Sequence, residues 1–350
     1  MDATGELTGQ SVIVHKPRDI GRLYDKSHFG HRTRSGDLAL NLLEAVYLAD
    51  DDKLHIYTKR KPVPFTDLVH TAAAAIHDFE TIYLAYKDLR KRGYAIHWTA
   101  TDAPITFTQP TPSTLLPEPL SVCAFSERDL LDIDQTNALC TSTLKHHGKL
   151  WYALVDEEGD VTYYDISPID LHGEIPPHAY PKTTGLLLKD RLLIFDAKAA
   201  SHLLQTEFFG KPFGPGLQVS LVEALYLISR DALHVTTPDG GQLTEKQSEK
   251  AILDLQPGIQ RRLTVYQDLK QRGLLVKTGF KFGADFRAYT TVPDKSHAEF
   301  LIHVVNEGFT SIWAEISRAV RLAHTVNKEF IFAVVSKKSV QYIRLGRLRP

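Results

Sequence analysis

A two-copy internal repeat constrains this chain more than any other feature. LLEAVYLADDDKLHIY (42–57) resembles LVEALYLISRDALHVT (221–236) at an offset of 179, and YKDLRKRGYAIH (86–97) resembles YQDLKQRGLLVK (266–277) at an offset of 180. Phe29-Gly30 aligns with Phe209-Gly210, again at 180. Solenoid repeats run to only about 20–50 residues, so a period this long is a duplicated and fused unit, not a solenoid turn. The seam falls near GEIPPHAYPKTTG (173–185), a Pro- and Gly-marked stretch.

Each unit divides again. LLEAVYL, LVEALYL, TIYLAYKDLRKRG and LTVYQDLKQRG carry apolar residues at helical spacing, and Gly93 and Gly273 follow basic last turns as helix caps do. Short apolar runs predict strands at YAIHW, KLWYALV (149–155) and VTYYDI (161–166) in the first unit. LLVKTGF, EFLIHVV (299–305), EFIFAVV (329–335) and VQYIRL (340–345) predict them in the second, with ISRAVRLAHTVN (316–327) as a helix between two of these. The expectation is a mixed α/β chain of four subdomains. Residues 1–105 and 180–276 are the α/β N-terminal parts of the two units, and 106–175 and 277–350 their smaller α/β C-terminal parts.

Composition narrows the class. Hydrophobic residues make up 43% and charged residues 24%, which fits a globular chain with a sizeable core. Two cysteines, Cys123 and Cys140, cannot build a disulfide framework or a four-thiolate zinc site, and read as reduced buried thiols of a cytoplasmic protein. MDATGELTGQ has neither the basic nor the apolar region of a secretory signal, and no apolar run approaches the ~20 residues that span a bilayer. The net charge of −1 hides an asymmetry: residues 261–350 hold 16 Lys and Arg against 7 Asp and Glu, so they carry +9 and the rest −10. A basic C-terminal quarter suits a polyanionic partner; uneven surface decoration is the plainer alternative.

Familiar nucleotide motifs are missing. There is no G-x-x-x-x-G-K-[ST] and no G-x-G-x-x-G, and the 16 histidines show no HExxH or CxxC-type ligand spacing. What stands out is an ordered series: KTGFKFGADFRAY (277–289), DKSHAEFLIHVV (294–305), RAVRLAHTVNKEFIFAVV (318–335) and VQYIRLGRL (340–348). These four blocks resemble archaeal tRNA-splicing endonucleases. About 75 residues match closely, and the repeat extends the likeness to the homodimeric branch, in which two fused units share one polypeptide and the second is catalytic.

The resemblance implies a small nuclease-like fold for the C-terminal parts. It assigns Tyr289 as general base, His297 as general acid and Lys328 as transition-state stabiliser. It further implies Arg321 and Arg344 as the pair that sandwiches a bulge base of precursor tRNA. The implied reaction cuts both strands of a bulge-helix-bulge and leaves 2′,3′-cyclic phosphate and 5′-OH ends, with no metal, no small-molecule cofactor and no membrane partner. The chemistry is coherent: RNA brings its own 2′-OH nucleophile, so cleavage needs a base, an acid and a cation for the phosphorane. A free phenol titrates near 10, so a tyrosine base calls for cationic neighbours. His303 and His324 are rival histidines, and Arg347 and Arg349 rival tail arginines. A metal-dependent nuclease would want a Glu-x-Lys pair, but Phe300-Leu301 follow Glu299. A non-catalytic RNA-binding subunit would be expected to have lost part of the triad from both units.

The first unit is an internal control. At an offset of 180, His297 maps to Pro117, Lys328 to Gly148 and Tyr289 to Gln109, with Lys149 one residue from the lysine position. That unit keeps the frame without the acid–base set. Two cuts then need two chains. The acidic stretch SERDLLDID (126–134) is the segment expected to meet the partner's basic end, a solvated loop being the alternative.

Overall fold

The computed structural model describes residues 2–99, 104–109, 118–292, 297–337 and 339–350. The chain is mixed α/β, and the two N-terminal parts share one design. In the first, a six-stranded sheet runs in the order His31–Arg32, Leu38–Asn41, Ser11–Val14, Ala3–Thr8, Leu54–Thr58, Lys61–Pro62. In the second the order is Lys211–Phe213, Gly216–Ser220, Arg191–Ile194, Thr183–Leu187, Leu233–Thr236, Gln242–Leu243.

The repeat marks found in the sequence meet in one local device. Helix Leu42–Asp50 starts on a capping box between Asn41 and Glu44, and helix Leu221–Ile228 on the same box between Ser220 and Glu223. Both glutamates are buried, which is tolerable only if their oxygens are satisfied. The second oxygen of Glu44 accepts from Gly30 N at 2.8 Å, and that of Glu223 from Gly210 N at 2.9 Å. Gly210 has φ +53°, and a Cβ there would stand 2.0 Å from the Gln218 carbonyl, so only glycine fits.

Helices Phe79–Lys91 and Ile259–Gln271 close with the same cap. Gly93 and Gly273 take positive φ, while Tyr94 N donates to Leu89 O (3.1 Å) and Leu274 N to Leu269 O (3.0 Å). This is the Schellman pattern, in which a left-handed glycine lets the chain turn back and satisfy the last carbonyls.

The two C-terminal parts join into one ten-stranded sheet. The second unit contributes Leu275–Thr278, Phe286–Tyr289, Phe300–Asn306, Glu329–Val335 and Val340–Leu348 in that order. Val340–Leu348 then pairs antiparallel with Val161–Pro168, and Lys149–Val155, Leu120–Ser126, Phe107–Gln109 and His97–Trp98 follow. Period-2 alternation gives each strand two buried faces. In the second half, Phe286, Ile302 and Ile331 face helix Ile259–Gln271. Leu301, Phe330 and Phe332 face helix Trp313–Thr325, and their layer is continuous with Tyr152 and Ile166 of the first half. Cys123 and Cys140 are free and buried. Among the described residues no helix is long and apolar enough to cross a membrane.

The acidic 126–134 stretch is engaged within the chain. Leu130–Asp132 pairs antiparallel with Thr310–Ile312. Asp132 caps helix Ile133–Lys145 through Asp134 N and Gln135 N, both at 2.9 Å. Asp134 accepts from Gly308 N at 3.0 Å, and Asp129 from Ser126 N at 2.7 Å. The strand pairing and the Asp134 bond join the two units, so part of the stretch is engaged within the chain, while Asp132 and Asp129 order it locally. The missed signal is an Asp directly before a helical stretch, which is a cap.

Candidate active site

Three neighbouring strand ends build the site. Ala288 pairs with Phe300, and Phe300 with Glu329. One residue further, Glu299 N donates to Ala288 O (3.1 Å) and Glu329 N to Glu299 O (2.8 Å). The register therefore sets Tyr289, Glu299 and Lys328 in one row. With strands about 4.8 Å apart, the Tyr289 and Lys328 backbones lie roughly 10 Å from each other. His297 precedes Glu299 by two residues at the entry of the middle strand.

Tyr289 is 8% exposed and packs with Ile175, Leu275 and Ala298, against which Phe208 and Val292 also lie. The Arg287 guanidinium sits 5.8 Å from its ring centroid. Glu299 clamps the next residue: its carboxylate accepts from Thr290 N at 3.0 Å and from Thr290 Oγ1 at 2.9 Å. His297 is exposed. Lys328 Nζ donates to Ala298 O at 2.7 Å, next to His297 in the chain, and lies 5.8 Å from the Phe282 ring centroid. Partial burial lowers the Lys328 pKa, and the charges of Arg287 and Lys281 lower it further against the opposing pull of Glu299.

The structure therefore brings Tyr289, His297 and Lys328 to one end of the sheet. The rival histidines fall elsewhere. His303 is mostly buried with its ring 4.6 Å from that of Phe330, and burial lowers its pKa, which suits a neutral core histidine. His324 is exposed in the last turn of helix Trp313–Thr325.

Arg321 is exposed on that helix. Arg344 is held at the junction of the two half-sheets, where its guanidinium pairs with Asp165, donates to Ser167 Oγ at 3.3 Å and approaches Glu329 at 3.7 Å. Its edges are thus largely engaged. Sequence reasoning passed over Arg287, Lys281 and Asp165, and weighed Glu299 only against a Glu-x-Lys pair. Alternation would have put Arg287 on the face of Tyr289, whereas the Asp165 contact crosses 179 residues and has no local signature.

The first unit lacks this set, with one adjustment of register. Gly148 precedes Lys149–Val155 as Lys328 precedes Glu329–Val335. Lys149 itself pairs with Glu118 at 3.2 Å. Gln109 pairs with Leu120, which makes it the counterpart of Ala288 and not of Tyr289, because an indel shifts the offset to 179 here. Pro117, the position matched to His297, lies outside the described residues. Among the described residues, no group of three or more His, Cys, Asp or Glu is arranged to hold a metal ion.

Comparison with known proteins agrees with this architecture. The family model for the tRNA intron endonuclease N-terminal domain matches residues 3–69 and 183–247, once in each unit. The model for the tRNA intron endonuclease catalytic C-terminal domain matches residues 259–342, which contain the three strand ends. A tRNA-splicing endonuclease of Methanococcoides burtonii is 33% identical across 98% of this chain and 99% of its own. One of Methanosarcina mazei is 33% identical across 98% of both chains, and one of Haloferax volcanii 29% across 97% and 98%. With both domain models matched in repeat order and relatives aligned over nearly its whole length, the chain belongs to the tRNA intron endonuclease family.

Proposed function

We propose that this protein excises introns from precursor tRNA by cutting both strands of a bulge-helix-bulge. Tyr289 takes the proton of the 2′-OH beside the scissile phosphate, and the 2′-oxygen attacks phosphorus. The P–O5′ bond breaks and O5′ takes a proton from His297, leaving a 2′,3′-cyclic phosphate and a 5′-OH. Lys328 stabilises the charge that builds on the phosphorane oxygens. Water and metal have no place in this sequence, which makes the reaction a lyase step. The observation that carries the reading is the shared row of Tyr289 and Lys328 with His297 at the same sheet end, in a member of this family. Arg287 is the cation beside the Tyr289 ring.

Arg321 and Arg344 are proposed to grip an unpaired bulge base, Arg321 from its exposed helix and Arg344 through its guanidinium face, since its edges are engaged. One such set per chain against two cuts calls for a homodimer. The test is cleavage of a bulge-helix-bulge RNA in excess chelator, alongside an RNA with a single 2′-deoxy nucleotide 5′ to one cut. The expected result is normal cutting with chelator and loss of that one cut in the deoxy RNA. Cleavage of the deoxy position would show an activated water as nucleophile and overturn the mechanism.

A further inference from the structure

Phe280 is 88% exposed, while the other exposed large apolar residues among the described residues lie between 36% and 56%. A ring left in water forgoes the stabilisation that burial would bring, so its position calls for a reason. The turn that carries it is firmly built. Phe280–Phe282 forms a single 3-10 turn, with Phe282 N donating to Gly279 O at 2.8 Å and Gly279 N to Asp285 O at 3.1 Å. Asp285 in turn accepts from Val304 N at 2.9 Å. A Cβ on Gly279 would stand 2.8 Å from Ala284 O, and Gly283 has φ +67°, so both glycines are needed for the chain to fold back. Phe282 packs against the core while Phe280 is held out on the same turn.

The surroundings are cationic and adjoin the proposed site. Lys281 follows Phe280 in the chain with its Nζ 5.0 Å from the Phe282 ring centroid, and Lys328 Nζ lies 5.8 Å from the same ring. An exposed ring on a firmly built turn, with two lysines over the neighbouring Phe282 ring, offers what a single-stranded nucleotide requires: a face for the base and cations for its phosphates. A protein partner would find one isolated ring and a run of positive charge.

We infer that Phe280 is a stacking platform for an unpaired nucleotide of the RNA next to the scissile phosphate, separate from the contacts proposed for Arg321 and Arg344. This rests on the proposed RNA-cleaving function. The test uses the full chain and a bulge-helix-bulge RNA blocked by a 2′-deoxy nucleotide at each cut. The fluorescent base 2-aminopurine replaces each bulge nucleotide in turn. The wild-type protein should quench one of these positions. Phe280→Ala should abolish that quench and weaken binding roughly 5- to 100-fold, the range for one lost base–aromatic stack. Phe280→Trp should restore both, and Phe280→Leu, equally apolar but without a π face, should not. Equal binding by Phe280→Leu and wild type, or an unchanged quench in Phe280→Ala, overturns the inference. So does loss of self-association in Phe280→Ala with the quench intact, since the ring would then serve a protein contact. Failure of the wild-type protein to cut the unblocked RNA would instead count against the proposed function.

Discussion

At the scale of single residues, the assignments separate by what each group would do to rate and to binding. His297→Ala removes the proposed acid, and Lys328→Ala removes the proposed cation together with its bond to the Ala298 carbonyl. Each should bind precursor RNA nearly normally and cut it at least ~10²-fold more slowly in single-turnover assays. Full activity in either would remove that residue from the mechanism. The charges around Lys328 add a test of sign. The ammonium must stay protonated to act, and its pKa is already lowered by burial, Arg287 and Lys281, with Glu299 opposing. Activity should therefore fall as pH rises through that lowered value. Lys281→Gln removes a like charge and should move the alkaline limb to higher pH, and Glu299→Gln removes the opposing charge and should move it lower. Limbs that stay put in both would show that Lys328 does not titrate in the measured step.

Element by element, the two units solve one packing problem with different chemistry. In the second unit Glu207 and Lys270 form an ion pair with both side chains only 3% exposed. Tyr180 donates to Glu207 at 2.6 Å, Lys270 lies 5.2 Å from the Phe209 ring centroid, and burial pushes the Lys270 pKa down to about 7. In the first unit the matched positions are Ser27 and Arg90, and Arg90 instead donates to the Ser27 carbonyl at 2.6 Å over the Phe29 ring. A buried pair is costly to break and cheap to replace as a whole. Lys270→Met should destabilise the protein by about 3–5 kcal/mol in chemical denaturation, and the double variant with Glu207→Leu should recover most of that. An additive double would show that the two groups do not depend on each other. Much of this level was legible in the sequence, because helices and strands have local periods and the glycine caps local chemistry. The helix expected at 316–327 forms at Trp313–Thr325. What escaped was non-local: the Gly30 and Gly210 bonds to buried glutamates and the one-residue shift at Gln109. Each depends on a partner that only the fold brings near.

On the scale of the whole molecule, the pairing of Val340–Leu348 with Val161–Pro168 decides what remains for a second chain. Two apolar edge strands carry no code for each other in sequence, and their union covers both edges within one polypeptide. The proposed self-association then uses another surface, and the two proposed cuts ask for two sets of the proposed Tyr289, His297 and Lys328. A C₂ dimer is the simplest closed arrangement. Part of the 126–134 stretch is engaged inside the chain, and the exposed acidic turn Asp156-Glu157-Glu158-Gly159-Asp160, whose Glu157 pairs with Arg128, is a second candidate to face a partner's basic quarter. It is the tip between strands Lys149–Val155 and Val161–Pro168, and Asp156 orders it by accepting from Glu158 N (3.0 Å) and Asp160 N (2.9 Å). Opposed potentials of this kind set register and speed encounter more than they add affinity. Glu157→Lys with Glu158→Lys leaves Asp156 in place, reverses the tip's charge and removes the Glu157–Arg128 pair. Sedimentation should show the wild-type chain as a dimer and the variant shifted toward monomer, most at low salt where repulsion is least screened. Cleavage should fall in step with the loss of dimer and recover at high protein concentration. A variant that stays dimeric and cuts normally would place the interface elsewhere, and a monomeric wild type that cuts both strands would remove the need for one.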